Sequence, residues 1–453
     1  MSLEALYQDH LTTLDGRLAE SLEQARAAGV EADTVVIHAG REAFHYADDH
    51  AIPFQSTPHF RHWVPLSGPE HVVVLRPGQR PRVVRVSPRD FWYDTAPAPR
   101  SYWEQAVDLI EVESFDAAVA AVGSLSRAAF IGESRKAAEA LGIELIDPPA
   151  LLAPMDWHRA SKTAFELDRI RTAARAAGAG FASAVEVFAA GGSERELYWA
   201  YLEGSGQVDH EQPFPPIVAL DEKGAILHYQ HKRGAEAAPG RVFLLDAGAA
   251  CDGWACDVTR TWARDDVDAQ FLALLHGMDA LERTLVAKVA PGVPFGELHR
   301  AAHQGIAALL IEVGLARASA EELLAAGATR AFLPHGLGHH LGIQVHDVGG
   351  HMAGPDGSKA PPPPEYPALR NTRVLQPGHV VTIEPGFYFI PMLLEPLRRD
   401  HPTLLDWAAV ERLTPYGGIR IEDDVVCTNT GYEDLTREHL PGPRDTSVAA
   451  LGA

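Results

Sequence analysis

Four imidazoles fall within twelve residues in His335-Gly336-Leu337-Gly338-His339-His340-Leu341-Gly342-Ile343-Gln344-Val345-His346-Asp347. Neutral imidazole is a good ligand for transition metals and a good acid–base group near neutral pH. Four carboxylates extend the pattern. Leu244-Leu245-Asp246 ends an apolar run on an acid, and Asp257 follows eleven residues later in Cys256-Asp257-Val258-Thr259-Arg260-Thr261. Val381-Thr382-Ile383-Glu384 and Ile419-Arg420-Ile421-Glu422 repeat the arrangement. An acid ending a buried strand is costly unless it is paired or metal-bound. Asp246, Asp257, Glu384 and Glu422, joined by one histidine (His339), suit a pair of divalent ions with some carboxylates bridging. Without cations such a set would repel itself.

The elements that must carry these residues can be read from periodicity. Glycine is costly in a helix interior, so the histidine run predicts bent loop or strand, with the glycines letting the backbone turn. Strands are expected at 216–220, 242–246, 379–384 and 419–427. Helices are expected at 266–289 and 295–314, parted by Pro291-Gly292, and capping boxes at Thr163–Glu166 and Ser193–Glu196 open two more. This second region reads as a mixed α+β unit. The first reads as a small α/β domain. It has an opening helix over residues 1–30 with Leu11, Leu14, Leu18 and Leu22 on one face. Strands follow at Thr34–His38, Val72–Leu75 and Val83–Val86, then an amphipathic stretch near 114–122, a strand at Ala129–Gly132 and a helix near 134–141. Pro148-Pro149 and Pro154 read as a boundary, which gives domains 1–156 and 157–453. Pro361–Pro364 predict a shaped, extended loop.

Composition narrows the function classes. A net charge of −22 with no basic stripe argues against a nucleic-acid partner. No apolar run reaches membrane-spanning length, and the N-terminus lacks a signal-peptide pattern. Cys251, Cys256 and Cys427 form no metal-binding spacing and suit a reducing, cytoplasmic compartment as small buried apolar groups. The H-E-x-x-H, G-x-S-x-G and P-loop motifs are absent.

The chain resembles the metal-dependent prolidases, the Xaa-Pro dipeptidases of pita-bread metallopeptidase family M24. The resemblance is carried by Ala225-Ile226-Leu227-His228-Tyr229, by the His335–Asp347 block and by Tyr416-Gly417-Gly418-Ile419-Arg420-Ile421-Glu422-Asp423. It is nearest to the bacterial group that includes the organophosphorus acid anhydrolases, which shares the His339-His340 pair. The resemblance implies an α+β architecture, a C-terminal pita-bread catalytic domain preceded by a smaller α/β domain. It implies cleavage of X–Pro dipeptides by a metal-bridging hydroxide, with hydrolysis of organophosphorus esters as a possible side activity. It implies two divalent ions, Mn2+ first and Co2+ or Zn2+ as alternatives. Asp246 and Asp257 would bind one ion, with Asp257 bridging. His339 and Glu384 would complete the other, and Glu422 would bridge both. Glu384 would also take a proton, His346 would steady the tetrahedral intermediate, and His335 would hold substrate or leaving group. His228 would line the pocket, Arg370 would grip the carboxylate of the C-terminal proline, and Arg420 would orient the metal carboxylates. Asp49, in an N-terminal segment that in this family partly closes the pocket of a partner subunit, is a further substrate-side candidate in an implied homodimer.

Competing readings remain at single positions. Arg370 could form a surface salt bridge, His228 and His335 could be satisfied structural histidines, and Asp48 and Asp49 could be solvated loop. For the whole chain, an aminopeptidase P-type Xaa-Pro aminopeptidase is the alternative enzyme. A non-catalytic pita-bread binding protein is the alternative from another class, although such proteins lose the ligands that are all present here.

Overall fold

Leu11, Leu14, Leu18 and Leu22 are all buried along one face of the opening helix, α1 (Leu3–Ala27). The structure is a computed structural model that describes residues 1–92, 101–234, 239–440 and 443. The chain divides into two units, one of Met1–Asp168 with Met352–Lys359 and one of Arg169–His351 with Ala360–Ala453.

The first unit is built on a mixed six-stranded sheet. In chain order its elements are β1 (Thr34–His38), α2 (Pro58–Trp63), β2 (Val72–Leu75), β3 (Arg82–Val86), β4 (Asp108–Val112), α3 (Phe115–Ala121), β5 (Ala128–Ile131), α4 (Arg135–Ala140), β6 (Leu145–Ile146) and α5 (Pro149–Arg159). The strand order is β4-β3-β2-β1-β5-β6, with β2 antiparallel to both β1 and β3 and the β3-β4, β1-β5 and β5-β6 pairs parallel. β1 and β2 are buried throughout, so they read as unbroken valine-rich runs rather than alternating ones. The stretch that starts at Pro148 is not a linker locally. Pro149 opens α5, where a missing N–H is harmless, and α5 packs along α1.

The next helix, α6 (Ala164–Ala189), is opened by the predicted capping box: Thr163 N donates to Glu166 Oε2 (2.8 Å) and Glu166 N donates to Thr163 Oγ1 (3.3 Å). It is followed by α7 (Glu194–Ser205), with its own capping box at Ser193 and Glu196. The remaining elements of the second unit are β7 (Ile217–Leu220), β8 (Val242–Ala247), β9 (Ala250–Cys251), β10 (Trp254–Ala255), β11 (Val258–Ala263), α8 (Ala269–Val286), α9 (Phe295–Glu312), α10 (Ala320–Ala325), α11 (Ala328–Phe332), β12 (Val380–Ile383), β13 (Gly386–Tyr388), α12 (Pro391–Asp400), α13 (Trp407–Leu413), β14 (Gly418–Arg420), β15 (Asp423–Cys427) and β16 (Tyr432–Asp434). They form antiparallel sheets of order β11-β8-β7 and β12-β15-β16 and a β13-β14 pair. The main core gathers α8 and α9, with Phe271, Leu274, Met278, Leu298 and Ile306, against Val381, Ile383, Phe387, Ile419 and Ile421 from the strands.

Two details differ from the periodicity reading. α8 begins later than expected because Asp268 is its N-cap, accepting from Gln270 N (2.9 Å). The single strand expected over 419–427 is two strands interrupted at Ile421-Glu422, where Glu422 pairs instead with Thr259. The histidine run is bent loop, in line with its glycines, with one isolated bridge from His340 to Val381.

Candidate functional site

The site begins with register. β8 and β11 pair so that Asp246 stands opposite Thr259, and β12 and β15 pair so that Ile383, just before Glu384, stands opposite Asp423, just after Glu422. The strand break at Glu422 lets its backbone N–H donate to Thr259 O (3.0 Å), while Thr259 Oγ1 donates to Glu422 Oε2 (2.6 Å). Four acids distant in sequence thus arrive at one place on three sheet fragments.

The histidine run is laid against β12. Thr382 N donates to His339 O (3.0 Å), and His339 N donates to Thr382 Oγ1 (3.1 Å). Glycine is needed at position 338, because a Cβ there would lie 2.0 Å from the Thr382 carbonyl oxygen. His339 Nδ1 lies 3.0 Å from its neighbour's carbonyl oxygen, so it carries the proton and donates. That leaves the Nε2 lone pair aimed at the acids, 3.4 Å from Asp257 Oδ2 and 3.7 Å from Glu384 Oε1. A second nitrogen held by a carbonyl is the usual way a ligand imidazole is oriented.

A cavity of about 190 Å³ is lined by Asp246, Asp257, His339, Glu384, Glu422, His228, His335, His346, Arg370 and Arg420, together with Leu227, Gly336, Gly338 and Ala368. His228, His346 and Arg370 are exposed on its wall. Among the described residues Arg370 makes no ion pair, unlike the surface salt bridge weighed for it. The Arg370 loop sits close to the histidine run and to Gly350, where an added Cβ would lie 2.3 Å from Arg370 O. His346 meets His339 edge-on at 4.4 Å between ring centroids. Asp49 lies in the first unit on an exposed turn between His45 and His50. His340 is buried against His379.

Two residues that the sequence did not single out organise this wall. Tyr388, fully buried, donates from its hydroxyl to His335 Nε2 (2.8 Å) and accepts from Arg420 Nη1 (2.8 Å). Arg420 Nη2 donates in turn to Asp246 Oδ2 (2.5 Å), and Arg420 Nε donates to Thr259 Oγ1 (3.0 Å). Because His335 Nδ1 donates to Gly336 O (2.8 Å), both nitrogens of that ring are engaged. Nothing in the local sequence marks Tyr388 or Thr259, since their roles arise only from strand register.

Electrostatics show what the donor set lacks. Burial pushes Asp246 up to about 6, Arg420 opposing and Asp257 adding to the rise. Burial pushes Glu384 up to about 7 against the pull of His339 and Arg420, and Asp257 and Asp246 add repulsion. Glu422 is held well above the ordinary carboxylate range by burial and then by Asp257, Glu384 and Asp246. Burial drives His335 down to about 3, with Arg420 beside it, which keeps the ring neutral as an acceptor from Tyr388. Asp246 Oδ1 is buried without a hydrogen-bond partner. Asp257, His339 and Glu422 each offer a ligand atom, all within 4.8 Å of one another. Crowded acids, an orphaned oxygen and an aimed imidazole fit divalent cations.

A mixed two-part chain whose second part gathers acids and imidazole around a cavity defines a metallohydrolase. Metallopeptidase family M24 matches residues 168–429, and the N-terminal domain of Xaa-Pro dipeptidases matches residues 5–157. An Xaa-Pro dipeptidase of Xanthomonas axonopodis pv. citri is 41% identical over 96% of this chain and 98% of its own. One of Pseudoalteromonas atlantica is 37% identical over 96% and 98%. Among solved structures, Pseudomonas aeruginosa aminopeptidase PepP aligns at TM-score 0.71 and 25% identity over 96% of this chain and 97% of its own. The proline aminopeptidase P II of Yersinia pestis aligns at TM-score 0.72 and 23% identity over 100% and 99%, a likeness of fold. The chain therefore belongs to metallopeptidase family M24, with an N-terminal domain of the Xaa-Pro dipeptidase type and a C-terminal pita-bread domain.

Proposed function

We propose that this chain is an Xaa-Pro dipeptidase that works with two divalent ions, Mn2+ foremost. The observation that carries the reading is the cavity, where five potential ligands and an exposed guanidinium without an ion-pair partner among the described residues share one wall. Relatives named Xaa-Pro dipeptidase across nearly the whole chain support the substrate class. Asp246 and Asp257 would hold one ion and His339 and Glu384 the other, with Asp257 and Glu422 shared between them. Bound there, the ions supply a water of lowered pKa and a Lewis acid for the scissile carbonyl.

The chain's own residues do the rest. Glu384 accepts a proton at its carboxylate as water attacks. It can return that proton to the proline nitrogen, which carries no hydrogen in the X–Pro bond and leaves only once protonated. His346, exposed beside His339, would donate to the developing oxyanion. Arg370 offers a two-pronged grip on the substrate's C-terminal carboxylate, which in a dipeptide lies one residue beyond the cut. His228 lines the cavity. Asp49 is proposed to reach substrate from a partner subunit, since the exposed Phe44, Tyr46 and Ile52 around it offer apolar surface for a homodimer.

The three cysteines are all free, which suits a reducing cytoplasm, and no helix among the described residues is long and apolar enough to cross a membrane. The same centre is proposed to hydrolyse organophosphorus esters slowly. The test is a panel of X-Pro dipeptides, X-Pro tripeptides and a phosphotriester, offered to chelator-stripped protein reloaded with Mn2+, Co2+ or Zn2+. Dipeptides should be strongly preferred. Equal rates on tripeptides would replace the reading with an aminopeptidase P, a reading favoured by the solved structures of like fold.

A further inference from the structure

Asp423 follows the proposed ligand Glu422, is fully buried, and is not among the residues lining the cavity. Its Oδ1 accepts from Arg260 Nη2 and from Thr436 Oγ1, each at 2.6 Å, and its Oδ2 lies 2.6 Å from Arg437 Nη2. Arg437 also pairs with Asp279 (2.9 Å) and with Glu282, both buried on α8. One guanidinium near the end of the described chain is thus shared by three buried carboxylates.

The contacts do not end at Asp423. Arg260, itself fully buried, donates from Nη1 to Glu422 O (2.6 Å) and from Nη2 to Leu440 O (2.8 Å). Thr436 Oγ1 accepts from Asp424 N (3.1 Å), and Asp424 Oδ2 accepts from Asp257 N (3.1 Å). The backbones of two proposed metal ligands are therefore held by groups whose other partner is the segment Asp434–Leu440. Glu422 is held through Arg260, and Asp257 through Asp424. Polar groups around metal ligands set ligand orientation, and their loss commonly weakens affinity by about 10–100-fold. Two sites joined through shared contacts must also influence each other equally in both directions.

We propose that Asp434–Leu440 is a brace for the metal centre, with Thr436 and Arg437 as positioning residues. Docking of this segment raises metal affinity, and bound metal in turn holds the segment docked. The inference rests on the metal reading above. Removing Arg437 outright takes a shared cation from three buried acids, of which Asp423 keeps Arg260 and Asp279 keeps Arg283 while Glu282 has no other ion pair among the described residues, and this endangers folding, so Thr436→Val, nearly equal in shape, is the primary variant. Arg437→Lys, which keeps charge without the fork, is the second, compared with Arg437→Met.

The measurement is Mn2+ binding by calorimetry on the full chain, with hydrogen exchange of residues 434–440 followed with and without Mn2+. Thr436→Val should weaken Mn2+ binding about tenfold while far-ultraviolet circular dichroism is unchanged. Lysine should recover part of what methionine loses, and Mn2+ should slow exchange across 434–440. Unchanged Mn2+ affinity in Thr436→Val and Arg437→Lys, even with a lower Tm, would mean that the segment only stabilises the fold. Exchange over 434–440 that ignores Mn2+ also overturns the brace. Wild-type protein that binds no Mn2+ overturns the metal reading, and the brace with it.

Discussion

The Tyr388 hydroxyl lies 2.8 Å from His335 Nε2 and 2.8 Å from Arg420 Nη1, so one phenol joins the histidine run to the arginine that holds Asp246. Direction follows from the donors. Arginine can only donate, so Tyr388 accepts from it and spends its own proton on His335. Tyr388→Phe keeps the ring and deletes the link. A buried imidazole nitrogen and a guanidinium N–H then lose a partner, each worth about 1–3 kcal/mol when left unsatisfied. We expect a fall in kcat/KM of about tenfold on X-Pro dipeptides and a lower Tm, with metal content kept. Full activity in Tyr388→Phe would show that the link is idle.

Asp257 is the acid with most depending on it. It lies 3.4 Å from His339 Nε2 and belongs to the only group of three potential ligand side chains found within 4.8 Å among the described residues. Asp257→Asn removes a negative charge from a crowded site, so the protein without metal should be as stable as wild type or more so. Its metal content should fall by at least one equivalent by elemental analysis, and peptidase activity by more than about 100-fold. Wild-type metal content in this variant would exclude Asp257 as a ligand.

Much of this was legible before any coordinates. The acids at 246, 257, 384 and 422 betrayed themselves because a carboxylate ending an apolar run needs a physical reason. The glycines at 336 and 338 read as places for the backbone to turn, whereas the close approach of Gly338 to the Thr382 carbonyl shows only in the fold. The break at Glu422 was not legible, since Ile419 to Cys427 carries enough apolar residues for one strand and only pairing with Thr259 interrupts it. Tyr388, Arg437 and Thr436 were not legible for a related reason. Their partners lie from about a dozen to more than a hundred residues away, and single-chain periodicity carries no register between separate strands. Pro148-Pro149, read as a boundary, opens a helix, since proline suits a helix's first turn.

Arg370, in the proposed role of carboxylate grip, should separate two kinds of substrate. It is exposed on the cavity wall and, among the described residues, makes no ion pair. A charge-assisted pair with the substrate's carboxylate is worth about 1.5–3 kcal/mol, which is roughly 10- to 150-fold in KM. Arg370→Met should therefore raise KM for an X-Pro dipeptide by that order. It should leave KM for the matching X-Pro amide, which has no carboxylate, within about twofold of wild type. Equal effects on both substrates, seen in steady-state kinetics, would place Arg370 outside carboxylate recognition.

His71 makes the fold of the first unit sensitive to acid. It is 3% exposed. Its Nδ1 accepts from Val86 N (3.1 Å) and its Nε2 donates to Ser67 O (3.1 Å), an arrangement only the neutral ring can make. Burial drives its pKa down to about 4, with Arg85 opposing the charged form as well. In the unfolded chain the imidazole takes up a proton near 6.5. Between pH 6.5 and 4 the unfolded state binds more protons than the folded state, so stability falls as pH falls through that window. Above 6.5 the contribution is fully present. The loss for this one group is on the order of 3 kcal/mol once pH is below both values. His71→Gln retains an acceptor and a donor but does not titrate. Urea unfolding followed at pH 7 and pH 5 should show a steeper decline for wild type than for His71→Gln, and parallel declines would show that His71 is not the titrating group.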